Sequence, residues 1–378
     1  MKKTYALFLT LALLLAACSS GPLSGTPHGS GTLVIGGMYP LTGDGAAYGI
    51  PIQHATDIAI KELNDAGGIG GKDLKIVWED SKCDAKDGAT AAQKLTGVDN
   101  VKVILGGICS GETLAAAPIT EEAGVILLSP SSTNPKITDA GDFVFRTAPS
   151  DAYGGKVAAE YARKQGYKTV SIIAENSDYA QGLRTVFRDS FKALGGSIAN
   201  EQTFDPDASD FKTIVLKVVD IYPDAVYLAP QTPAKGVLLL KQLREQGYKG
   251  PIVTAEVLIG RDVIKEHPDL VEGIAGVEVH FDETNPKAKK LFDEYRSLYN
   301  EDPPFPAYMA AAYDNVNLIA DAIGANDGEI DADQIKDYLY HVKDYDGALG
   351  KLTFDQNGDP ILDFDVKKVI GGNLVVLG

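Results

Sequence analysis

The stretch VKVILGGICSGETLAAAPITEEAGVILLSPSSTN, residues 101–134, decides the fold. Its first apolar run, 101–105, is short and rich in β-branched residues, and it stops at Gly106 and Gly107. A helical pattern begins near Glu112, continues to 123 and is closed by Gly124, after which a second apolar run occupies 125–128. Strand, helix and strand within about 30 residues make a βαβ unit, whose two strands are parallel. Both strands run into polar turns: Gly106-Gly107-Ile108-Cys109-Ser110-Gly111 after the first, Ser129-Pro130-Ser131-Ser132-Thr133-Asn134 after the second.

The same alternation extends in both directions. Towards the N-terminus it predicts a strand at 33–38, a helix at 48–66 with Ile52, Ala55, Ile58, Ala59 and Leu63 on one face, a strand at 74–79 and a helix at 85–95. After Asp151 the rhythm restarts. It gives helices at 151–165, 179–194, 211–220 and 234–246, and strands at 169–174, 197–204, 225–229 and 251–254. The expected class is therefore α/β, with two successive units that each carry a mostly parallel sheet covered by helices. Beyond Phe281 the pattern changes to helices at 287–299, 307–323 and 332–340, then short strands at 351–354 and 362–370. These helices need a sheet to cover and are expected to return to the first unit. That places 32–151 with 281–354 in an N-terminal lobe and 152–280 with 355–378 in a C-terminal lobe.

A length of 378 residues suits two ordinary domains, and an apolar content of 44% with 23% charged residues is that of a globular chain. The formal net charge of −17 sets up a field that repels nucleic acid and anionic membrane surfaces. Lys2 and Lys3, the apolar run 5–15 and the tetrapeptide Leu15-Ala16-Ala17-Cys18 read as a signal peptide over 1–17, and the tetrapeptide resembles the bacterial lipobox. Cys18 is then the expected lipidation site, against the alternative of an ordinary secretory signal. Residues 18–31 are a Gly-, Ser- and Pro-rich tether, with a reach on the order of 20 Å for about 13 residues of coil. The expected location is extracytoplasmic, lipid-anchored, with the membrane touched only through the anchor. Of three cysteines, Cys83 and Cys109 remain, an even number in an exported chain, which favours a disulfide over two free thiols.

Ligands of open α/β sheets sit beyond the carboxyl ends of the strands, near helix N-termini. Hydroxyls dominate those positions in the first lobe. The second lobe offers Glu175 to Tyr179 after one strand, Pro230-Gln231-Thr232 after another, and Ala255-Glu256 after a third. The combination suits an α-amino acid zwitterion: Ser110 and Thr133 with backbone N–H groups for the carboxylate, Glu256 for the ammonium. Each residue alone also reads as a helix cap or a solvated turn.

Four motifs carry a family resemblance. Leu63-Asn64-Asp65-Ala66-Gly67-Gly68-Ile69, Glu79-Asp80 with Cys83-Asp84, Gly106 to Ser110, and Ser129 to Pro135 occur in order at family-like spacing, and together the chain resembles the branched-chain amino-acid-binding proteins of ABC importers. The resemblance implies a two-lobed periplasmic-binding-protein fold of type I with the ligand cleft between the lobes, closing by a hinge. It implies that Ser110, Ser131 and Thr133 hold the ligand carboxylate and ammonium, that Tyr179 is a cleft tyrosine, that Glu256 binds the ammonium and that Tyr48 flanks the ligand side chain. It also pairs Cys83 with Cys109. The implied partners are a free amino acid and a membrane permease, for a monomeric protein without cofactor or metal. One departure stands out: the family's aromatic residues after the strand at 225–229 are replaced by Pro230-Gln231-Thr232, which leaves the side-chain preference open at Gln231.

Two other functions compete. Gly107-Ile108-Cys109-Ser110-Gly111 has the form of a thiol nucleophile elbow, but a hydrolase needs a base, and none of His28, His54, His267, His280 and His341 stands in a catalytic context. The same two-lobed fold also serves sensory modules that report a ligand to a receptor. The run 355–359, Asp-Gln-Asn-Gly-Asp, lacks the closing glutamate of a calcium loop and reads as a turn between strands.

Overall fold

The computed structural model describes residues 31–377. In chain order the first part consists of β1 (Thr32–Tyr39), α1 (Ala46–Asp65), β2 (Asp73–Asp80), α2 (Ala85–Gly97), β3 (Val103–Gly106), α3 (Ser110–Ala123), β4 (Ile126–Ser129) and β5 (Val144–Arg146). The second contains α4 (Asp151–Lys164), β6 (Thr169–Glu175), α5 (Asp178–Ala193), β7 (Ser197–Phe204), α6 (Lys212–Val219), β8 (Ala225–Ala229), α7 (Pro233–Glu245), β9 (Ile252–Ala255), α8 (Arg261–Glu266), α9 (Pro268–Val271) and β10 (Ala275–Val279). The last consists of α10 (Pro286–Tyr299), α11 (Pro306–Ala325), α12 (Ala332–Tyr340), β11 (Tyr345–Asp346), β12 (Lys351–Leu352), β13 (Phe364–Ile370) and β14 (Asn373–Leu377). The expected signal peptide, Cys18 and the tether up to residue 30 lie outside the described residues.

Two sheets make two α/β lobes. The first has the order β2-β1-β3-β4-β5, all parallel. The second has the order β14-β13-β10-β9-β8-β6-β7, parallel except where β13 and β14 add an antiparallel edge. Both faces of each sheet are buried, which is why the central strands read as unbroken apolar runs. In the first lobe Val103, Leu105, Ile126 and Leu128 point to one face, against Val316 and Ile323 of α11 and Ile335 of α12; Ile104 and Leu127 point to the other, against Ala91, Leu95 and Ala116 of α2 and α3. In the second, Val170, Ile172 and Tyr227 meet α4 and α5, while Ile173, Val226 and Leu228 meet α6 and α7.

Helix starts follow local chemistry. Asp84 caps α2 by accepting from the N–H groups of Lys86 and Asp87, and Ser150, Ser177, Asn285 and Asp331 cap α4, α5, α10 and α12 in the same way. Helices α10 and α11 pack along α1, and α12 against α11, so the chain after β10 covers the first sheet. The short strands β5, β10 and β14 escape the periodicity, being three to five residues long and placed at a sheet edge or next to a glycine turn. The turn 355–359 stays with the first lobe: Asp359 pairs with Arg146 of β5, and Gly358 accepts from the Arg146 N–H through its carbonyl. The turn thus bonds to the first sheet, and β13, which follows it, joins the second.

Candidate functional site

The turn between β3 and α3 is built by close approach. Gly106 has φ of +147°, and a Cβ there would stand 2.4 Å from the Met38 carbonyl oxygen; a Cβ on Gly107 would stand 2.5 Å from Cγ of Glu112. With both glycines in place, Glu112 reaches back and accepts from the N–H groups of Ile108 and Cys109, closing the first turn of α3. The carboxyl is buried, which pushes it up to about 7 against the pull of its donors.

The hydroxyl-rich turn after β4 is sewn onto this one. Ser129 Oγ donates to the Gly107 carbonyl at 2.6 Å and accepts from the Ser132 N–H at 2.9 Å. Ser131 Oγ donates to the Ile108 carbonyl at 2.9 Å, and the Asn134 N–H donates to Ser110 Oγ at 3.2 Å. From behind, the fully buried Arg146 grips Asp359 through two nitrogens at 2.6 Å each, and also donates to the Asn134 carbonyl at 2.9 Å. Cys83 and Cys109 form a disulfide, Cα–Cα 5.3 Å, which ties the loop before α2 to the start of α3. With Cys109 bonded, the thiol that an elbow-type nucleophile needs is absent from this turn.

The second lobe brings Glu175 at the end of β6, Tyr179 in the first turn of α5, Gln231 after β8 and Glu256 after β9. Tyr179 donates its hydroxyl to Glu256 Oε1 at 3.0 Å, and Glu175 accepts from the Gln231 N–H at 2.8 Å. Burial pushes the Glu256 carboxyl up to about 7, partly offset by the hydroxyls of Tyr179 and Tyr308.

Between the lobes lies a narrow chamber of about 30 Å³. The first lobe lines it with Tyr48, Ile108, Cys109, Ser110, Ser131 and Tyr308, the second with Tyr179, Gln231, Glu256 and Val257. Outside it a wider cleft of about 660 Å³ opens to solvent, and Gln231 lines both spaces. The lobes touch at this mouth, where Asn134 Nδ2 donates to the Asp178 carbonyl. Six of the seven expected ligand residues thus meet around one chamber. Thr133 does not line it: its hydroxyl donates to Asp151 Oδ2 at 2.7 Å, and the Asp151 N–H donates to the Thr133 carbonyl at 2.8 Å. Buried there, Asp151 is pushed up to about 8, the Thr133 hydroxyl pulling the other way.

Sequence reasoning missed Tyr308, Val257, Arg146 and Asp151. Tyr308 had a usable signal, since it stands in the first turn of a helix expected to return to the first lobe, in Pro304-Phe305-Pro306-Ala307-Tyr308. Arg146 and Asp359 are 213 residues apart and carry no local pattern that joins them.

A family model described as periplasmic binding protein matches residues 32–373. The leucine-, isoleucine-, valine-, threonine-, and alanine-binding protein of Pseudomonas aeruginosa is 29% identical over 357 residues, covering 94% of each chain. Among solved structures, the leucine binding protein LivK of Thermotoga maritima superposes with a TM-score of 0.83 at 28% identity, covering 92% of this chain and 98% of its own. The branched-chain amino acid transporter substrate binding protein LivJ of Streptococcus pneumoniae, in complex with isoleucine, gives 0.81 at 30% identity over 92% and 99%. A match spanning both lobes, on a chain whose strand-end residues converge between two parallel sheets, establishes that this chain belongs to the periplasmic binding protein family.

Proposed function

We propose that the protein captures a free α-amino acid, branched-chain or related, by closing its two lobes, and hands it to the permease of an ABC importer. The observation that carries this reading is the pairing across the chamber: Ser110 and Ser131, at the start of α3 and in the turn after β4, face a wall that holds Glu256. A carboxylate is matched by the Ser110 hydroxyl and by the N–H groups of a helix start, the Ser131 hydroxyl being committed to the Ile108 carbonyl, and an ammonium by a buried carboxylate that otherwise lacks a counter-charge. The two ends of a zwitterion are thus served by different lobes, so only the closed form satisfies both, and ligand shifts the hinge equilibrium. The hinge runs through the crossings near 151 and 281 and a third before β13. Relatives whose names carry leucine, isoleucine and valine support the head-group assignment.

The protein acts outside the cytoplasm as a monomer, tethered through a lipidated Cys18 and residues 19–31. Thr133 contributes through Asp151, by fixing the first crossing. The test is a thermal-shift screen against free amino acids, their amides and simple carboxylic acids, with calorimetry on the hits and solution scattering with and without ligand. Stabilisation by free amino acids alone, together with a more compact scattering profile, is expected. Stabilisation by amides or simple carboxylic acids and by no free amino acid would sink the proposal.

A further inference from the structure

The chamber has more polar wall than a zwitterion uses. Under the reading above, Ser110, Ser131 and Glu256 serve the head group. The side chain of the ligand then faces Tyr48, Gln231, Val257 and Tyr308. Tyr48 is 6% exposed and its ring packs on Phe305 at 4.3 Å, yet its hydroxyl is buried with no hydrogen-bond partner among the described residues. A phenol oxygen left unpaired in a protein interior costs on the order of 1–3 kcal/mol, and a phenylalanine would fill the same space without it.

Gln231 adds a donor and an acceptor at the partition between chamber and outer cleft, its backbone N–H already committed to Glu175. Beside it, Thr232 precedes α7 in the cap position but makes no side-chain cap bond, and its buried hydroxyl is also without a partner among the described residues. Glu256 is the one charged residue in the chamber wall among those described, and the ammonium takes it. A cationic or anionic side chain would therefore enter without a counter-charge.

We propose that the ligand is an α-amino acid with an uncharged hydrogen-bonding side chain, a hydroxyl or a carboxamide, and that Tyr48 and Gln231 select it. The proposal rests on the amino-acid reading above and narrows it. Selection follows from asymmetry: a site that pairs a ligand hydroxyl or amide rejects the hydrocarbon analogue strongly, because the site's own groups are then left unpaired. A purely apolar pocket has no such leverage over an isostere.

Threonine and valine, asparagine and leucine, and glutamine and methionine are pairs of similar shape that differ in this one property. Calorimetry on the protein with all six, plus lysine and glutamate, decides the matter. The expected result is that the tightest ligand is an uncharged polar amino acid, and that in its pair it outbinds the apolar member by about tenfold or more. Tyr48→Phe should shrink that ratio while changing the apolar member's affinity less than about twofold, and the variant's melting temperature should hold or rise, since an unpaired hydroxyl is removed. Gln231→Leu should shrink the ratio independently. Tighter binding of the apolar member in all three pairs, or of lysine or glutamate, overturns this inference and leaves the amino-acid reading standing. Equal weakening of both members by Tyr48→Phe also overturns it, by assigning Tyr48 to the head group. Failure of every free amino acid to bind overturns the underlying reading, and this one with it.

Discussion

The two walls of the chamber are made differently. On the first lobe Tyr48 and Tyr308 come from α1 and α11, and the other lining residues sit in two turns held by their own bonds: the Ser129 and Ser131 hydroxyls on the carbonyls of Gly107 and Ile108, the Glu112 carboxyl on two N–H groups, with a disulfide and the Arg146–Asp359 pair behind them. On the second lobe Glu256 meets the hydroxyls of Tyr179 and, from the first lobe, Tyr308, and it supplies the chamber's charge. One wall is tied together by its own bonds; the other holds a charge that, under the proposed function, ligand completes. Pre-organisation on one side lowers the ordering cost of binding, and an unmatched charge on the other makes closure depend on what is bound.

The sharpest way to break this contrast is to remove the support behind the first wall. Asp359→Ala leaves Arg146 buried and uncompensated, and breaking a buried ion pair from one side typically costs about 3–5 kcal/mol. Urea unfolding should show that loss; a change well under about 1 kcal/mol would mean that the pair is not what holds the turn after β4. On the other wall, Glu256→Gln removes the charge that the proposed function sets against the ammonium. Affinity for every amino-acid ligand should fall together by about 2–5 kcal/mol, while the stability of the ligand-free protein holds or rises, because a desolvated carboxyl has been replaced by a neutral isostere. An equal loss of stability in both variants would erase the difference between the walls.

The disulfide sharpens the same comparison with a smaller effect. Cys83 and Cys109 are 26 residues apart, and opening a loop of that size costs roughly 3 kcal/mol in the chain-entropy model, less where the native turn is held by other bonds. A Cys83→Ser, Cys109→Ser double variant should lose up to about that much stability with its ligand ranking unchanged; a reordered ranking would show that the disulfide shapes the chamber as well as the turn.

The smallest effect is a pH dependence. Under the proposed function an ammonium binds to ionised Glu256, whose carboxyl burial pushes up to about 7. Below that pH a proton must leave before ligand binds, so affinity should be flat above about pH 7 and weaken by up to about tenfold per unit below it. Stability of the ligand-free protein runs the opposite way in sign. Glu256 at about 7 and Asp151 at about 8 hold protons in the fold that the unfolded chain, at 4.5 and 3.8, has released, so their contribution is full below about pH 4 and is lost as pH rises through 7 to 8. Titration calorimetry and melting curves across that range measure both, and in Glu256→Gln the affinity slope should vanish.

Much of this was legible because it is local. Apolar runs buried on both faces, glycines that a tight turn demands, and capping residues at helix starts are each decided within a few positions, so the α/β class, the order of most elements and the strand-end residues that reach the chamber could be read from the chain. Boundaries slipped by one or two residues, and β5, β10 and β14 were too short to show a period. Tertiary structure alone decided the rest. It turned Thr133 from the chamber to Asp151, brought Tyr308 from α11 to the ligand's expected path, and joined Arg146 to Asp359 across 213 residues. It also left the Tyr48 hydroxyl buried and unpaired among the described residues. Side-chain type and spacing specify what a residue can donate or accept; which partner it finds depends on what the folded chain packs against it, and no local pattern carries that information.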